Sequence, residues 1–234
     1  MNTINDTKKL IQYSIDNDLA HMPSALSQYS YLKYLLPLFN YDKINIVIGK
    51  PFGAQAYYLI WKDIGLILPD QVLSYGVKHS ELDFVSYGEE TLGNALGIAS
   101  GIAIASDKKT YVNLSDGAMQ MGPTLEAIQF IGANQQNILV TIDCNGQQLT
   151  GSTYDILGQT ILNHQNTFNN NHFKTFIITE NDLNIDYLIY LLSLTGPVCI
   201  LFKTYKGQGV VEMKNDPVGY HYKKLRNIDE ITFS

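Results

Sequence analysis

Short apolar runs alternate with longer amphipathic segments along this chain of 234 residues. Short runs rich in β-branched residues predict strands, and these are residues 44–48, 110–114, 137–142, 175–179 and 198–202. Segments whose apolar residues recur every three or four positions predict helices, and these are residues 6–18, 27–39, 54–65, 91–105, 183–194 and a segment that begins near residue 123. This alternation is typical of an α/β fold with a doubly wound, mainly parallel sheet and helices on both faces. Since no repeat or linker interrupts it, we predict a single domain over residues 1–234.

The helix predicted over residues 91–105 carries a glycine at every fourth position. Gly93, Gly97 and Gly101 would form one smooth stripe, and each glycine costs about 1 kcal/mol of helix stability relative to alanine. The stripe therefore indicates close packing against another surface. A neighbouring helix of this chain, a partner subunit and a ligand are all consistent with it.

Two of the predicted strands end at side chains that carry oxygen. The run at 110–114 leads into Asp116, and the run at 137–142 leads into Asn145. Because parallel strands share their carboxyl edge, where open α/β folds bind ligands, we expect these two side chains to lie side by side. A carboxylate and an amide oxygen suit Mg²⁺. The other interpretation is structural, because Asp and Asn also form turns and cap helices.

Composition narrows the classes of function. The formal charge of −6 does not favour a nucleic-acid partner. No apolar run approaches the roughly 18 residues of a membrane span, and the N-terminal segment lacks an apolar signal core. We therefore expect a cytoplasmic protein without a membrane partner. Cys144 and Cys199 lie in or beside predicted strands and are expected to be reduced thiols.

Three common site types lack their motifs in this chain. Residues 88–93 read G-E-E-T-L-G, which differs from the G-x-G-x-x-G of dinucleotide-binding folds. Gly207 and Gly209 are not followed by the Lys-Ser or Lys-Thr ending of a phosphate-binding loop. No two histidines have the i, i+4 spacing of a helical zinc site.

The five histidines divide into two groups. His164 and His172 flank an Asn-rich stretch, residues 166–171, which is predicted to be a loop, and we expect both at the surface or in capping positions. The others lie in predicted turns, where functional residues concentrate, and these are His21, His79 and His221.

The motifs and their order resemble the transketolase family. Ser115-Asp116-Gly117 followed by Asn145, a gap of 145 − 116 = 29 residues, resembles the thiamine diphosphate motif of that family, Gly-Asp-Gly and a later Asn. Ala-His21-Met-Pro is similar to the family's Gly-His-Pro-Gly. Further matches run colinearly from about residue 9 to residue 226, and they are INIVIGKPFGAQAYY at 44–58, His-Ser-Glu at 79–81, Asn-Ala-Leu-Gly-Ile-Ala at 94–99, Thr-Tyr-Lys-Gly-Gln-Gly-Val at 204–210 and His221.

The resemblance covers the N-terminal, diphosphate-binding domain of a transketolase. It implies thiamine diphosphate with Mg²⁺, Ca²⁺ or Mn²⁺ as cofactors. In the family, the glutamate that activates thiamine belongs to a pyrimidine-binding domain, which is expected here on a partner chain. The predicted assembly is an α2β2 heterotetramer of this chain with a C-terminal transketolase subunit. This chain is expected to be inactive without that subunit.

The resemblance also implies a role for each matching position. The metal ligands would be Asp116, Asn145 and the backbone carbonyl of Gln147. The cofactor-binding residues would be Gly88, Glu90, Ser115, Asp116, Gly117, Asn145 and His221. The catalytic residues would be His21, His79 and His221, which assist proton transfers, and Glu126, which belongs to a cofactor-linking network at the dimer interface.

Departures from the family pattern bear on the substrate. The Gly-His of the second motif is Pro51-Phe52 here, a glutamate of the diphosphate motif is Met121, and a longer loop is reduced to Gly88-Glu89-Glu90. They favour a modified or nucleotide-linked aldehyde acceptor, as in surface-polysaccharide biosynthesis, with a ketose phosphate as donor. Two alternatives stay open: a subunit of a 2-oxo acid decarboxylase or dehydrogenase, and a non-catalytic scaffold subunit.

Overall fold

Six parallel strands form the central sheet. A computed structural model of the chain describes residues 3–67 and 82–234, so His79, one of the predicted catalytic histidines, lies outside the described residues. The strands of the described part are β1 (Ile44–Ile48), β2 (Tyr87–Gly88), β3 (Lys109–Ser115), β4 (Ile138–Cys144), β5 (Gln147–Gln148), β6 (Gly151–Ser152), β7 (Lys174–Ile178) and β8 (Val198–Lys203). The predicted doubly wound α/β fold is confirmed.

The strand order is β2-β1-β3-β4-β8-β7, and every neighbouring pair is parallel. From β1 the chain adds β2 on one side, and it then returns to add β3 and β4 on the other. The order therefore reverses between β1 and β3, and ligands of open α/β sheets bind outside the carboxyl ends at such a switch point. Strands β5 and β6 form a separate antiparallel hairpin directly after β4.

Helices cover both faces of this sheet. In chain order they are α1 (Ile4–Asp16), α2 (Met22–Leu35), α3 (Gln55–Asp63), α4 (Ala95–Ile104), α5 (Gly122–Ala133), α6 (Thr153–Leu157), α7 (Ile161–Asn170), α8 (Ile185–Ser193) and α9 (Val211–Asn215). Alternate strand residues pack into two hydrophobic cores, one on each face of the sheet. Tyr111 and Leu139 belong to the core under α1, α2, α3 and α8. Val112 and Val140 belong to the core under α4, α5 and α7. None of the helices in the described ranges is long and apolar enough to cross a membrane.

The Asn-rich stretch is helical, so its prediction as a loop was wrong. Residues 166–170 form the second half of α7, which begins with reciprocal hydrogen bonds between Thr160 and Asn163. The helix buries Phe168 and His164 against the sheet. Burial of this face outweighs the low helix propensity of asparagine.

The glycine stripe differs from its prediction. Helix α4 begins only at Ala95, and Gly93 precedes it with a φ of +121°, which favours glycine. Gly97 and Gly101 do lie on α4, but a Cβ atom at either position would meet no atom within 4 Å. Of the three interpretations of the stripe, close packing by another helix of this chain is therefore not observed at Gly97 and Gly101 within the described residues. The glycines instead border an open groove between α4 and α5.

Candidate functional site

A pocket of about 430 Å³ opens at the carboxyl edge of the sheet, at the switch point between β1 and β3. Lys50 follows β1, Asp116 follows β3 and Asn145 follows β4, and all three side chains line it. The strand ends thus bring Asp116 and Asn145 together, as the sequence pattern predicts. The predicted site residues that line this pocket are Glu90, Ser115, Asp116, Gly117, Asn145, Gln147 and His221.

Asp116 is a buried carboxylate with an exposed fraction of 2%. Its Oδ1 accepts a hydrogen bond from the backbone N–H of Gly117 (2.9 Å), and its Oδ2 accepts one from Gly146 (2.7 Å). Burial and then the charge of Asp143 raise the pKa of Asp116 to about 7. Since no ion pair to Asp116 forms within the described residues, a bound cation would compensate this desolvated charge.

The side-chain amide of Asn145 has a defined orientation. Its Nδ2 donates to Asp143 Oδ2 (3.1 Å) and to Ser27 Oγ (3.4 Å). Its Oδ1 accepts from the backbone N–H of Gln147 at 3.0 Å, and the second lone pair of this oxygen is available. One carboxylate, one amide oxygen and a nearby backbone carbonyl fit a hard cation such as Mg²⁺ rather than zinc.

This donor set differs from a cluster of acidic side chains. Among the described residues no group of three or more His, Cys, Asp or Glu side chains could hold a metal ion. The predicted set contains only one carboxylate, Asp116, and takes its other protein oxygens from Asn145 and the Gln147 backbone. Such a set leaves most positions of an Mg²⁺ octahedron to ligand oxygens and water.

An ion pair beneath the pocket was missed by sequence reasoning. Asp143 is fully buried, and it pairs with Lys50 and accepts hydrogen bonds from Thr204 Oγ1 and from Ser27 Oγ (2.6 Å). Together with Asn145, four side chains donate to this one carboxylate. The signal available in the sequence was a charged residue inside an otherwise apolar strand, because such a residue needs a partner.

A second lysine makes the pocket more cationic. Lys206 lies in the loop after β8, is 5% exposed and also lines the pocket. Burial and then the nearby charge of Lys50 lower its pKa to about 8. Its Nζ contacts His221 Nδ1 at 3.1 Å. Two buried ammonium groups therefore stand near Asp116, an arrangement that suits an anionic ligand such as a diphosphate.

An aromatic cluster forms the wall beside Lys206. The ring of His21 lies 5.1 Å from Phe52, 4.7 Å from His221 and 5.0 Å from Tyr222, and its backbone N–H donates to the His221 carbonyl (3.2 Å). Burial, then His221 and then Lys206 lower the pKa of His21 to about 4. Phe52, His221 and Tyr222 line the pocket whereas His21 does not, so His21 contacts the residues of the wall.

Other predicted residues lie outside the pocket. Gly88 belongs to the edge strand β2. Glu126 is exposed on α5, where it borders the groove with Gly97 and Gly101. His164 is buried, with its pKa lowered by burial to about 4, so its predicted surface position was wrong.

Glu89 and the cysteines have structural positions. Glu89 Oε1 accepts hydrogen bonds from the backbone N–H groups of Asn94 (2.5 Å) and Ala95 (3.0 Å), so its carboxylate stabilises the start of α4. Cys144 and Cys199 are both free and buried, in agreement with their prediction as thiols.

Comparisons with known proteins identify a matching family model and several relatives of this chain. The family model described as 1-deoxy-D-xylulose-5-phosphate synthase matches residues 75–184. The 1-deoxy-D-xylulose-5-phosphate synthase of Actinobacillus pleuropneumoniae is 28% identical over 192 residues, 62% of this chain and 31% of the relative. Transketolase-like protein 2 of Bos taurus is 26% identical over 210 residues, 81% of this chain and 33% of the relative. The chain thus spans about a third of the length of the curated relatives it matches.

Solved structures of low sequence identity share the fold. A transketolase from Leishmania mexicana superposes with a TM-score of 0.66 at 18% identity, covering 91% of this chain and 38% of that one. A transketolase from Campylobacter jejuni gives 0.63 at 16% identity, covering 92% and 40%. The six-stranded parallel sheet with its flanking helices is the fold of a transketolase thiamine diphosphate-binding domain.

Proposed function

The chain is homologous to the N-terminal regions of transketolases and 1-deoxy-D-xylulose-5-phosphate synthases, and from this relationship we propose that it binds the diphosphate end of thiamine diphosphate in a transketolase-type transferase. The observation that carries the proposal is the pocket, in which Asp116 and Asn145 meet two buried lysines at the switch point of the sheet. A hard cation and a diphosphate match these groups in charge and in donor type.

Each group of the pocket has a part in this proposal. Asp116, Asn145 and the backbone carbonyl of Gln147 would hold Mg²⁺, and Lys50 and Lys206 would offset the negative charge of the diphosphate. When bound, thiamine diphosphate supplies the carbon centre that carries the transferred unit. Asp143 orients the Asn145 amide, and Phe52 and Met121 add apolar side chains to the lining of the pocket.

The proposed reaction moves a two-carbon ketol unit from a ketose phosphate to an aldehyde. We keep the modified or nucleotide-linked sugar acceptor of surface-polysaccharide biosynthesis as part of this proposal. His221 on the pocket wall supports it, because an imidazole can hydrogen bond to sugar hydroxyl oxygens. The acidic Glu90, which also lines the pocket, disfavours a second phosphate close to it.

A second candidate is transfer of an acyl unit from a 2-oxo acid. Two observations favour it: the family match to 1-deoxy-D-xylulose-5-phosphate synthase, whose printed name denotes a ketose without its 1-hydroxyl group, and Phe52, an apolar side chain where the resemblance expects a histidine. A unit that lacks a hydroxyl group needs no hydrogen-bond partner at that position. A scaffold subunit is disfavoured, because buried lysines and a buried carboxylate around a pocket reduce stability when nothing binds there.

We further propose that this chain works with a partner subunit that carries a pyrimidine domain, in an α2β2 assembly in the cytoplasm. The groove between α4 and α5 supports this proposal. It is bordered by the small residues Gly97 and Gly101, by the exposed apolar side chains of Ile104 and Phe130, and by Glu126. Open apolar surface next to small residues is typical of a subunit contact.

Calorimetric titration tests the cofactor proposal. Thiamine diphosphate is titrated into the 234-residue chain, alone and with a candidate partner chain, with and without Mg²⁺. We expect Mg²⁺-dependent binding that Asp116→Asn abolishes, whereas Asp63→Asn, an exposed aspartate paired with Lys9, leaves it unchanged. Absence of binding in every combination would contradict the proposal. Product analysis with a ketose phosphate and with a 2-oxo acid then separates the two candidate reactions.

A further inference from the structure

Lys206 lies against one particular nitrogen of the His221 ring. Its Nζ is 3.1 Å from Nδ1, and both side chains are almost completely buried. A lysine ammonium has three hydrogen-bond donors and no acceptor. A hydrogen bond at this distance therefore requires a lone pair on Nδ1, and the single proton of a neutral imidazole must then lie on Nε2.

The surroundings keep the His221 ring neutral. Burial, then the charge of Lys206 and then that of Lys50 lower the pKa of His221 to about 4. Both lysines disfavour an imidazolium, because like charges at short range repel. The ring therefore has one donor and one acceptor nitrogen near neutral pH, and the acceptor is occupied by Lys206.

The other nitrogen, Nε2, is available to the pocket. His221 lines the pocket, and within the described residues Nε2 makes no hydrogen bond and is not among the fully buried polar atoms that lack one. The ring orientation is held by edge contacts with His21 (4.7 Å) and Tyr222 (4.6 Å) and by Phe52 at 6.2 Å. Two other chain segments, at His21 and Phe52, and the adjacent Tyr222 therefore restrict the orientation of this imidazole.

We propose that Lys206 is a positioning residue that holds His221 in the Nε2–H tautomer, so that His221 presents a hydrogen-bond donor, not a base, to the pocket. The proposal rests on the proposed function only in taking this pocket as the binding site. It specifies the partner of His221 as an acceptor oxygen of the bound ligand. It thereby differs from the expectation from the sequence that this histidine assists proton transfers.

Nuclear magnetic resonance of the histidine rings tests this directly. The full 234-residue chain is labelled with ¹⁵N-histidine, and a long-range ¹H–¹⁵N correlation is recorded near neutral pH without cofactor. His221→Gln identifies the His221 signals by their loss. We expect a protonated Nε2 and an unprotonated Nδ1 in a single tautomer. A proton on Nδ1 in the unaltered chain would overturn the proposal without any variant.

Two substitutions test the role of Lys206. Lys206→Arg keeps a donor-only cation and should keep the single tautomer. Lys206→Met removes the donor and should give a mixture of both tautomers, since nothing then holds the lone pair of Nδ1. A single, unchanged tautomer in a folded Lys206→Met chain would refute the positioning role. Because the spectra contain no cofactor, this result is separate from the calorimetric test of cofactor binding.

Discussion

Asn145 Nδ2 donates a hydrogen bond of 3.1 Å to Asp143 Oδ2, two residues earlier and near the end of β4. The contact holds the amide nitrogen toward the buried carboxylate and leaves the amide oxygen on the side of Gln147. A buried carboxylate that orients a metal-binding side chain is a common second layer of metal sites. Asp143 thus decides which end of the amide is available at the edge of the sheet.

Asn145→Asp should show that the orientation of the side chain at position 145 depends on Asp143. The substitution replaces a donor that faces Asp143 with an oxygen, so two carboxylates meet in a buried place. We expect the free energy of unfolding to fall by about 1–3 kcal/mol without metal. Mg²⁺ should then raise the melting temperature more than it does in the unaltered chain. Equal shifts in the two proteins would show that position 145 does not contact the metal.

Lys50→Met should strongly destabilise the protein. It leaves the fully buried Asp143 without its cation, and loss of one partner of a buried pair costs about 3–5 kcal/mol. The matched control is Lys9→Met, because Lys9 pairs with Asp63 at the surface, where a pair contributes about 0.2–1 kcal/mol. Urea denaturation measures both. Similar losses for the two variants would contradict the buried pairing.

His164 should make the fold sensitive to acid. Burial lowers its pKa to about 4, whereas the ring titrates near 6.5 in the unfolded chain. The unfolded state therefore binds the extra proton between these values, and stability is lost as the pH falls from about 6.5 to about 4, by about 1.4 kcal/mol per pH unit for this group.

His164→Gln should reduce this slope by the contribution of one proton. His172→Gln is the control, since it makes the same change at an exposed position. Denaturation curves across that pH range give the slopes. A slope that His164→Gln leaves intact would mean that the ring is protonated in the folded protein.

Substitutions at Gly101 should distinguish effects on folding stability from effects on subunit assembly. A Cβ at this position meets nothing within 4 Å, so Gly101→Ala should stabilise the chain by about 0.5–1 kcal/mol through helix propensity. Gly101→Trp should also leave the fold intact but fill the groove and prevent association with the proposed partner subunit. Sedimentation with the partner measures this. Ile189→Trp, at an exposed apolar position on α8, is the control, and normal assembly of Gly101→Trp would exclude the groove as the contact.

Phe52→His should change the preference between the two candidate donor substrates, a ketose phosphate and a 2-oxo acid. It places an imidazole beside His21 and His221, where Phe52 now contacts both rings. We expect the ratio of kcat/KM for a ketose phosphate over a 2-oxo acid to rise by about 10-fold or more, since a new hydrogen-bond donor discriminates in favour of a hydroxyl group. Phe52→Leu serves as the control, and an unchanged ratio in Phe52→His would show that this wall does not face the donor.

The positions of Asp116 and Asn145 could be predicted because they depend on local pattern alone. Strand β1 was predicted residue for residue, and the two strand ends needed only the rule that parallel strands share an edge. The pair of Lys50 and Asp143 could not be predicted in the same way, because its members are 93 residues apart. Their contact depends on β1 and β4 flanking β3, which is a property of topology.

The prediction of a loop at residues 166–171, where the structure has α7, failed for a different reason. The asparagines of α7 have low helix propensity and read as a loop, but tertiary burial of Phe168 and His164 decides the outcome. The prediction that Gly93 lies on a helix was wrong because Gly93 has a positive φ, which the periodicity of the sequence does not indicate. In both cases the tertiary structure around the segment, and not its local sequence pattern, determines the backbone conformation.

The segment between Glu89 and Gly93 joins two surfaces. Glu89 is fixed to the first backbone groups of α4, Glu90, Thr91 and Leu92 line the pocket, and the Gly93 carbonyl accepts a hydrogen bond from Thr124 on α5. Both helices that border the groove are therefore tied to one pocket wall. Because packed interiors transmit strain, a displacement of α4 against α5 would also move that wall, and a ligand that moved the wall would change the shape of the groove.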